Sequence, residues 1–261
     1  MTPLRFPAML GGRLEGSVAI VSGASGNLGP VWIRALADAG ATVVGIDLED
    51  GVIEGAAAVE VGDVRDASAI AQIGERVARE HGEPRILVNN AGIDQPPGPG
   101  SGGRVEDVPT DEFRGVLDVN IAGTFNVTKT IGSRMAREGS GSIVNIGSLY
   151  AGVAPVPSFY EHLEPAFLKP PAYGASKAAV VNLTRYFARL WGPSGVRVNT
   201  LSPGGVAGGQ DAEFVRKFSA RVPLGRLARP EELTGPLLFL ASEDSGYVTG
   251  QELLVDGGFT A

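Results

Sequence analysis

Tyr173 and Lys177 stand four residues apart in Tyr-Gly-Ala-Ser-Lys at the start of a helical pattern, a spacing that puts both on one helix face. Tyrosine ionises near pH 10, and a cation held beside the phenol stabilises its anion, so the pair offers a general base near neutral pH. Taken alone, that spacing also describes an ordinary surface tyrosine and lysine. A second set of residues could hold a nucleotide. Ser22-Gly-Ala-Ser-Gly-Asn-Leu-Gly29 follows the first apolar run and leads into Pro30 and a helical pattern. Glycines there let backbone amides approach a pyrophosphate at a helix N-terminus, and proline suits the first turn. Gly23, Ser25, Asn27, Leu28 and Gly29 are therefore candidate cofactor contacts. Asp47, eighteen residues beyond Gly29 with Leu48 next to it, can accept hydrogen bonds from ribose hydroxyls and repel a 2′-phosphate. No Arg or Lys lies in the glycine loop, and Glu49 and Asp50 follow. NAD is expected over NADP.

Elements that would position these groups are legible as short, nearly continuous apolar runs: Val18–Val21, Thr42–Ile46, Ala57–Val61, Ile86–Val88, Ile143–Ile146 and Val196–Leu201. Strands covered on both faces have this character. Helical patterns over Val31–Ala39, Ala67–His81, Glu112–Glu138 and Ala172–Trp191 alternate with them. The expected fold is α/β, a single-domain Rossmann-type doubly wound parallel sheet with helices on both faces, spanning residues 1–261. Leu48–Ala56 is short for a crossover, so any helix there should be vestigial. Residues 94–109 and 151–171, the latter with five prolines, read as loops on the substrate side. Ser148 lies just past the Ile143–Ile146 run.

Composition narrows the partners. A net charge of −7 with 22 scattered Lys and Arg argues against nucleic acid, whose phosphates need clustered cations. The chain has no cysteine and only two histidines, His81 and His162, which leaves no disulfide, no thiol nucleophile and no expectation of a metal site. The N-terminus lacks a signal-like apolar core and no run approaches the roughly 18 apolar residues of a membrane span. A cytoplasmic protein without a membrane partner is expected, acting on a small molecule.

In order along the chain stand Ser22–Gly29, Gly62-Asp63-Val64, Asn89-Asn90-Ala91-Gly92, Asn120 within Val-Asn-Ile-Ala-Gly, Ser148, Tyr173 with Lys177, Arg197–Gly205 and Val255-Asp256-Gly-Gly. From Ser22 to Gly258 the sequence resembles the short-chain dehydrogenase/reductase family. The resemblance implies Tyr173 as acid/base and Lys177 as the residue that lowers its pKa and holds the nicotinamide ribose. Ser148 would hydrogen-bond the substrate oxygen, and Asn120 would position a water leading to Lys177. Asp63 and Val64 would flank adenine, while Asn90, Ala91, Gly92, Pro203, Gly204 and Val206 would line the rest of the cofactor. A homotetramer, or a homodimer, packed through two long helices and the C-terminal strand is implied as well.

Three departures stand out. Asn27 replaces a glycine, and asparagine tolerates positive φ. Gly208 replaces a threonine that would contact the carboxamide. Ser148 and Tyr173 are 25 residues apart, farther than is usual in the family, and the extra residues bring Tyr160, Glu161, His162, Glu164 and Lys169 beside the substrate. Ser148, Tyr150, Tyr160, His162 and Gly205 are the candidate substrate contacts. The insertion, with its flanking Ser-Leu-Tyr-Ala-Gly-Val-Ala-Pro and Ala-Tyr-Gly-Ala-Ser-Lys, resembles a subgroup associated with sugars and sugar acids. The leading expectation is an NAD-dependent dehydrogenase of a secondary alcohol on a carbohydrate-like substrate. A reductase of a ketoacyl or cyclic ketone substrate is a second reading, and a cofactor-binding regulatory protein without turnover is a third.

Overall fold

A computed structural model describes residues 13–97 and 103–261; residues 98–102 of the expected 94–109 loop lie outside them. Seven strands form one parallel sheet: β1 (Val18–Ser22), β2 (Thr42–Asp47), β3 (Ala56–Val61), β4 (Pro84–Asn89), β5 (Gly141–Ile146), β6 (Val196–Pro203) and β7 (Glu252–Val255). Their order is β3-β2-β1-β4-β5-β6-β7, so the chain reverses direction across the sheet between β1 and β4. Open α/β sheets bind ligands beyond the strand ends at such a point. Every apolar run expected to be a strand is one. The seventh, Glu252–Val255, is only four residues long and partly exposed, and it lay outside those runs.

The continuous apolar character of the strands has a direct cause. Ala19, Val21, Val43, Ile86, Val88 and Val144 face one core, with Trp32, Ile33 and Leu36 of α1 (Gly29–Asp38) and Leu237 and Leu240 of α7 (Thr234–Ala241). Val18, Ile20, Val44, Ile46, Leu87 and Ile143 face the other. There they meet Ile70 and Ile73 of α2 (Ala67–His81), Ile131 and Met135 of α4 (Thr124–Glu138), and Phe187 and Trp191 of α5 (Pro171–Trp191). Successive side chains point to opposite faces and both faces are covered, so neither set is polar. Residues 48–55 join β2 to β3 without a helix, as their length required.

One expectation needs correction. The stretch Glu112–Glu138 is not one regular helix, because α3 (Thr110–Leu117) passes through a π-helical turn, Asp118–Gly123, before α4 begins. The 151–171 loop is anchored to the body of the protein. It contributes buried Phe159, Tyr160 and Phe167 to a third apolar cluster with Leu149, Phe218, Val222 and Leu227, docking on α6 (Ala212–Ser219). Among the described residues no helix is long and apolar enough to cross a membrane.

Candidate active site

Four segments converge at the C-terminal ends of β4, β5 and β6. Ser148 follows β5 and is buried. Gly147 before it admits no side chain, since a Cβ would fall 2.2 Å from Ser202 Oγ. Pro170 and Pro171 set the start of α5, placing Tyr173 in its first turn and Lys177 one turn later. A buried polar ladder seats that helix on the sheet: Asn89 Nδ2 donates to Asn145 Oδ1 at 2.7 Å, Asn145 Nδ2 to Thr184 Oγ1 at 2.7 Å, and Thr184 meets Thr200 at 2.7 Å. The Ser148 side chain lies beside the Tyr173 phenol, where it favours the phenolate. Lys177 Nζ lies 5.6 Å from the Tyr173 ring centre and donates to Ile146 O at 2.7 Å.

Asn120 explains the π-helical turn. Its Oδ1 accepts from Ile93 N at 2.7 Å, and its Nδ2 donates to Ile93 O at 3.0 Å and to Ser176 Oγ at 2.9 Å. One asparagine thus ties the segment after β4 to α5, and widening the helix by one residue aims it there. A Cβ at Gly92 would lie 3.3 Å from Asn120 Oδ1 and 3.6 Å from Lys177 Nζ. Asn120, Lys177 and the end of the β4 loop therefore meet at one place.

Electrostatics reverse one expectation. The phenol of Tyr173 is pushed up, not down, mainly by burial and secondarily by the Asp94 carboxylate, against the opposing influence of Ser148. Lys177 does not offset this in the protein alone. Burial costs its own charge, holding it down at about 8 with a small opposing effect from Asp94.

A cleft of about 420 Å³ leads away from this group, lined by Gly23, Ser25, Asp47, Leu48, Asp63, Val64, Ala91 and Gly92 among others. These are the residues expected to contact a dinucleotide, and several have no room for other side chains. Gly23 has φ +67° and a Cβ there would sit 2.7 Å from Ala91 Cα, while one at Gly29 would sit 2.3 Å from Ala24 O. Asp47 is held at the cleft mouth: Oδ2 accepts from Ser25 N and Oδ1 from Leu48 N, both at 2.7 Å. The cradle fits an extended nucleotide with hydroxyls at its acidic end.

The remaining candidates take other places. Asn90 anchors the glycine loop, donating to Gly23 O at 2.8 Å and accepting from Trp32 Nε1 at 2.9 Å. Asn27 is exposed, and no non-glycine residue among those described has positive φ, so its tolerance of that conformation is not called upon. Leu28 caps α1. Pro203 ends β6, and Gly204 packs against Asp256. Val206 forms a bridge with Ala228. The N–H of Gly208 donates to Gln210 Oε1 at 2.9 Å. Gly205 has Phe218 and Leu227 against it.

On the substrate side Tyr150 lies edge-on to Tyr173 with ring centres 6.5 Å apart. Tyr160 is buried against Phe167 and Phe214, and its phenol is pushed far up by burial; it belongs to the aromatic cluster rather than beside a base. His162 is engaged by Asp211 Oδ1 at 2.7 Å at the start of α6. Glu161 and Glu164 are exposed. Lys169 is the member of the insertion that reaches Tyr173: its Nζ is 5.5 Å from the ring centre and donates to Asp94 Oδ1 at 2.5 Å. Its place four residues before Tyr173 was a signal, blurred by the two intervening prolines. Arg65 had none. It lines the cofactor cleft, where sequence had shown no cation, and its guanidinium grips Asp63 and holds that carboxyl below its usual range.

Fold and site together define a nicotinamide-dependent oxidoreductase class. Residues 23–260 match the family described as Enoyl-(Acyl carrier protein) reductase, and the chain belongs to the short-chain dehydrogenase/reductase family. It is 35% identical to a cis-4-hydroxycyclohexanecarboxylate dehydrogenase of Sinomonas cyclohexanicum, covering 94% of this chain and 96% of that one. It is 34% identical to a D-threitol dehydrogenase of Mycolicibacterium smegmatis, covering 95% and 94%. A short-chain dehydrogenase from Leptospira borgpetersenii with bound NAD+ superposes with TM-score 0.87 at 30% identity, covering 100% and 99%. A gluconate 5-dehydrogenase from Burkholderia cenocepacia in complex with NADP and tartrate superposes with TM-score 0.82 at 31% identity, covering 95% and 96%.

Proposed function

We propose that this protein is an NAD-dependent dehydrogenase that interconverts a secondary alcohol and a ketone on a small polar, carbohydrate-like substrate, with Tyr173 as the acid/base. The observation that carries the reading is the meeting of Ser148, Tyr173 and Lys177 at the inner end of a cleft whose outer end presents Asp47. Two hydroxyls so placed can grip one substrate oxygen. Ser148 donates to it as charge develops, in the manner of an oxyanion hole. Tyr173 gives its proton to a carbonyl oxygen in reduction and takes the hydroxyl proton in oxidation. Bound nicotinamide supplies the hydride carrier and, when oxidised, a positive charge.

A buried phenol with a raised pKa is ready as an acid, so the reducing direction needs no further adjustment. The oxidising direction needs positive charge near the ring, which the Lys177 ammonium can provide only while protonated, below about pH 8 in the free protein. Asn120 holds the β4 loop to α5 and, in this reading, positions a water that connects Lys177 to solvent.

NAD is proposed because Asp47 presents a carboxylate where a 2′-phosphate would have to sit, and the nearby cation Arg65 is already paired with Asp63. A polar substrate is proposed because the D-threitol and gluconate relatives act on polyhydroxylated molecules and the site is framed by Asp94, Lys169 and Tyr150. The exposed Phe125, Tyr186 and Leu190 of α4 and α5, with Leu254 of β7, support assembly into a homotetramer. Spectrophotometric screening of polyols, sugars and sugar acids with NAD and with NADP tests the reading. It expects NADH formation on at least one polyol and a preference for NAD. Turnover confined to ketoacyl substrates with NADPH would contradict it.

A further inference from the structure

Lys169 and Asp94 come from the two loops that flank the site. The Lys169 side chain is 5% exposed and that of Asp94 50%. Burying an ammonium so deeply is costly unless it is paired, and the pairing here is incomplete. An ammonium has three donors. Lys169 Nζ gives one to Asp94 Oδ1 at 2.5 Å and one to Gln95 O at 3.1 Å, and the third meets no acceptor among the described residues. Asp94 Oδ1 also accepts from Gln95 N at 2.8 Å, which leaves Oδ2 without a protein donor among those residues.

The pair therefore presents one free donor and one free acceptor, 5.5 Å from the centre of the Tyr173 ring at the ammonium. A molecule whose reacting oxygen is held by the Tyr173 phenol can bring its neighbouring oxygen to that ammonium. A hydroxyl both accepts and donates, which matches the pair on both counts. A carboxylate only accepts, and it would face the Asp94 charge beside it. The pair is neutral overall, so it favours an uncharged hydroxyl over an anion.

Resting on the reading of Ser148 and Tyr173 as the reacting end, we propose that Asp94 and Lys169 form a subsite for the hydroxyl adjacent to the reacting carbinol. The substrate class is then a vicinal diol within a polyol. Lys169 donates to that oxygen and Asp94 accepts from it or from the next one.

The test compares matched alcohols, cyclohexane-1,2-diol with cyclohexanol and butane-2,3-diol with butan-2-ol, in the full-length protein and in Lys169→Met and Asp94→Asn. Hydrogen bonds to charged groups of this kind discriminate by about 100-fold or more. The wild type is expected to favour each diol in kcat/KM by at least about 100-fold. Both variants should bring that ratio close to one, and melting temperatures and cofactor Kd values like those of the wild type show that they fold. Equal rates on diol and mono-alcohol in the wild type, or equal losses on both in the variants, would overturn the subsite. So would variants that lose a hydroxy acid but keep the diol. If the wild type turns over neither alcohol, the dehydrogenase reading fails, and calorimetric titration of the diol into the cofactor-loaded protein decides the subsite. Binding that Lys169→Met abolishes supports it, and absence of binding refutes it.

Discussion

Replacing Lys177 by methionine should stabilise the protein while removing its activity. Folding carries the Lys177 ammonium from an ordinary 10.5 down to about 8 because it is buried. At about 1.4 kcal/mol for each tenfold change in proton affinity, the charged form costs about 3 kcal/mol at neutral pH. Methionine has nearly the same shape and no charge, but it leaves Ile146 O without the donor now 2.7 Å away, a loss of about 1 kcal/mol. The net gain is about 2 kcal/mol, or a rise of several degrees in Tm for a chain of this size. The pH dependence carries a sign that a general packing effect would not. A lysine whose pKa is lowered by folding binds its proton more weakly in the folded state, so its penalty is fully present below about 8 and fades toward the unfolded value. Wild-type stability should therefore rise from pH 8 to pH 10 relative to the variant. Above pH 10 the buried phenols of Tyr150, Tyr160 and Tyr173, all pushed up, oppose the trend in both proteins. Thermal melts of both proteins without cofactor, from pH 7 to pH 10, measure this. A Lys177→Met variant that is less stable at pH 7, or a difference that does not shrink with pH, would refute the assignment of Lys177 as a desolvated charge.

Two further outcomes follow from named contacts. Asp47→Ser frees the cleft mouth of its carboxylate, so kcat/KM with NAD should fall about 10-fold or more while that with NADP rises; an unchanged preference would remove Asp47 from cofactor selection. Phe159→Ala deletes a ring packed 5.5 Å from Phe218 and 6.1 Å from Phe214, a loss of about 3 kcal/mol in the docking of the insertion. Faster proteolysis within residues 151–171 and a raised KM for the alcohol, with cofactor affinity intact, are expected, and an unaltered cleavage rate would show that the insertion does not depend on this cluster.

The sheet was legible because its five inner strands are covered on both faces and advertise it with nearly unbroken apolar residues. The exceptions were those whose structure depends on distant partners. Glu252–Val255 is half-exposed at the edge and Ser202 donates to Glu252 at 2.6 Å, so it reads as neither core nor surface. The π-helical turn exists because Asn120 bonds to a loop 27 positions away, which no local pattern records. In the site, Tyr173 and Lys177 were visible through helical spacing, but the sign of the phenol's shift was not. A neighbouring cation can be read from sequence, whereas the degree of burial that outweighs it cannot. Arg65 and Asp94 escaped for the same reason that Lys169 was ambiguous: their partners are set by how loops fold over the sheet, and Lys169 meets Asp94 across 75 positions.

The central claim is that Tyr173 moves the proton. Tyr173→Phe keeps the ring beside Tyr150 and Lys169 and removes only the hydroxyl that lies beside Ser148. Measured with the best alcohol and NAD, kcat should fall by a factor of about 1,000 or more, while fluorescence titration gives a Kd for NADH within about threefold of wild type. Turnover retained within tenfold, with cofactor still bound, would contradict the account.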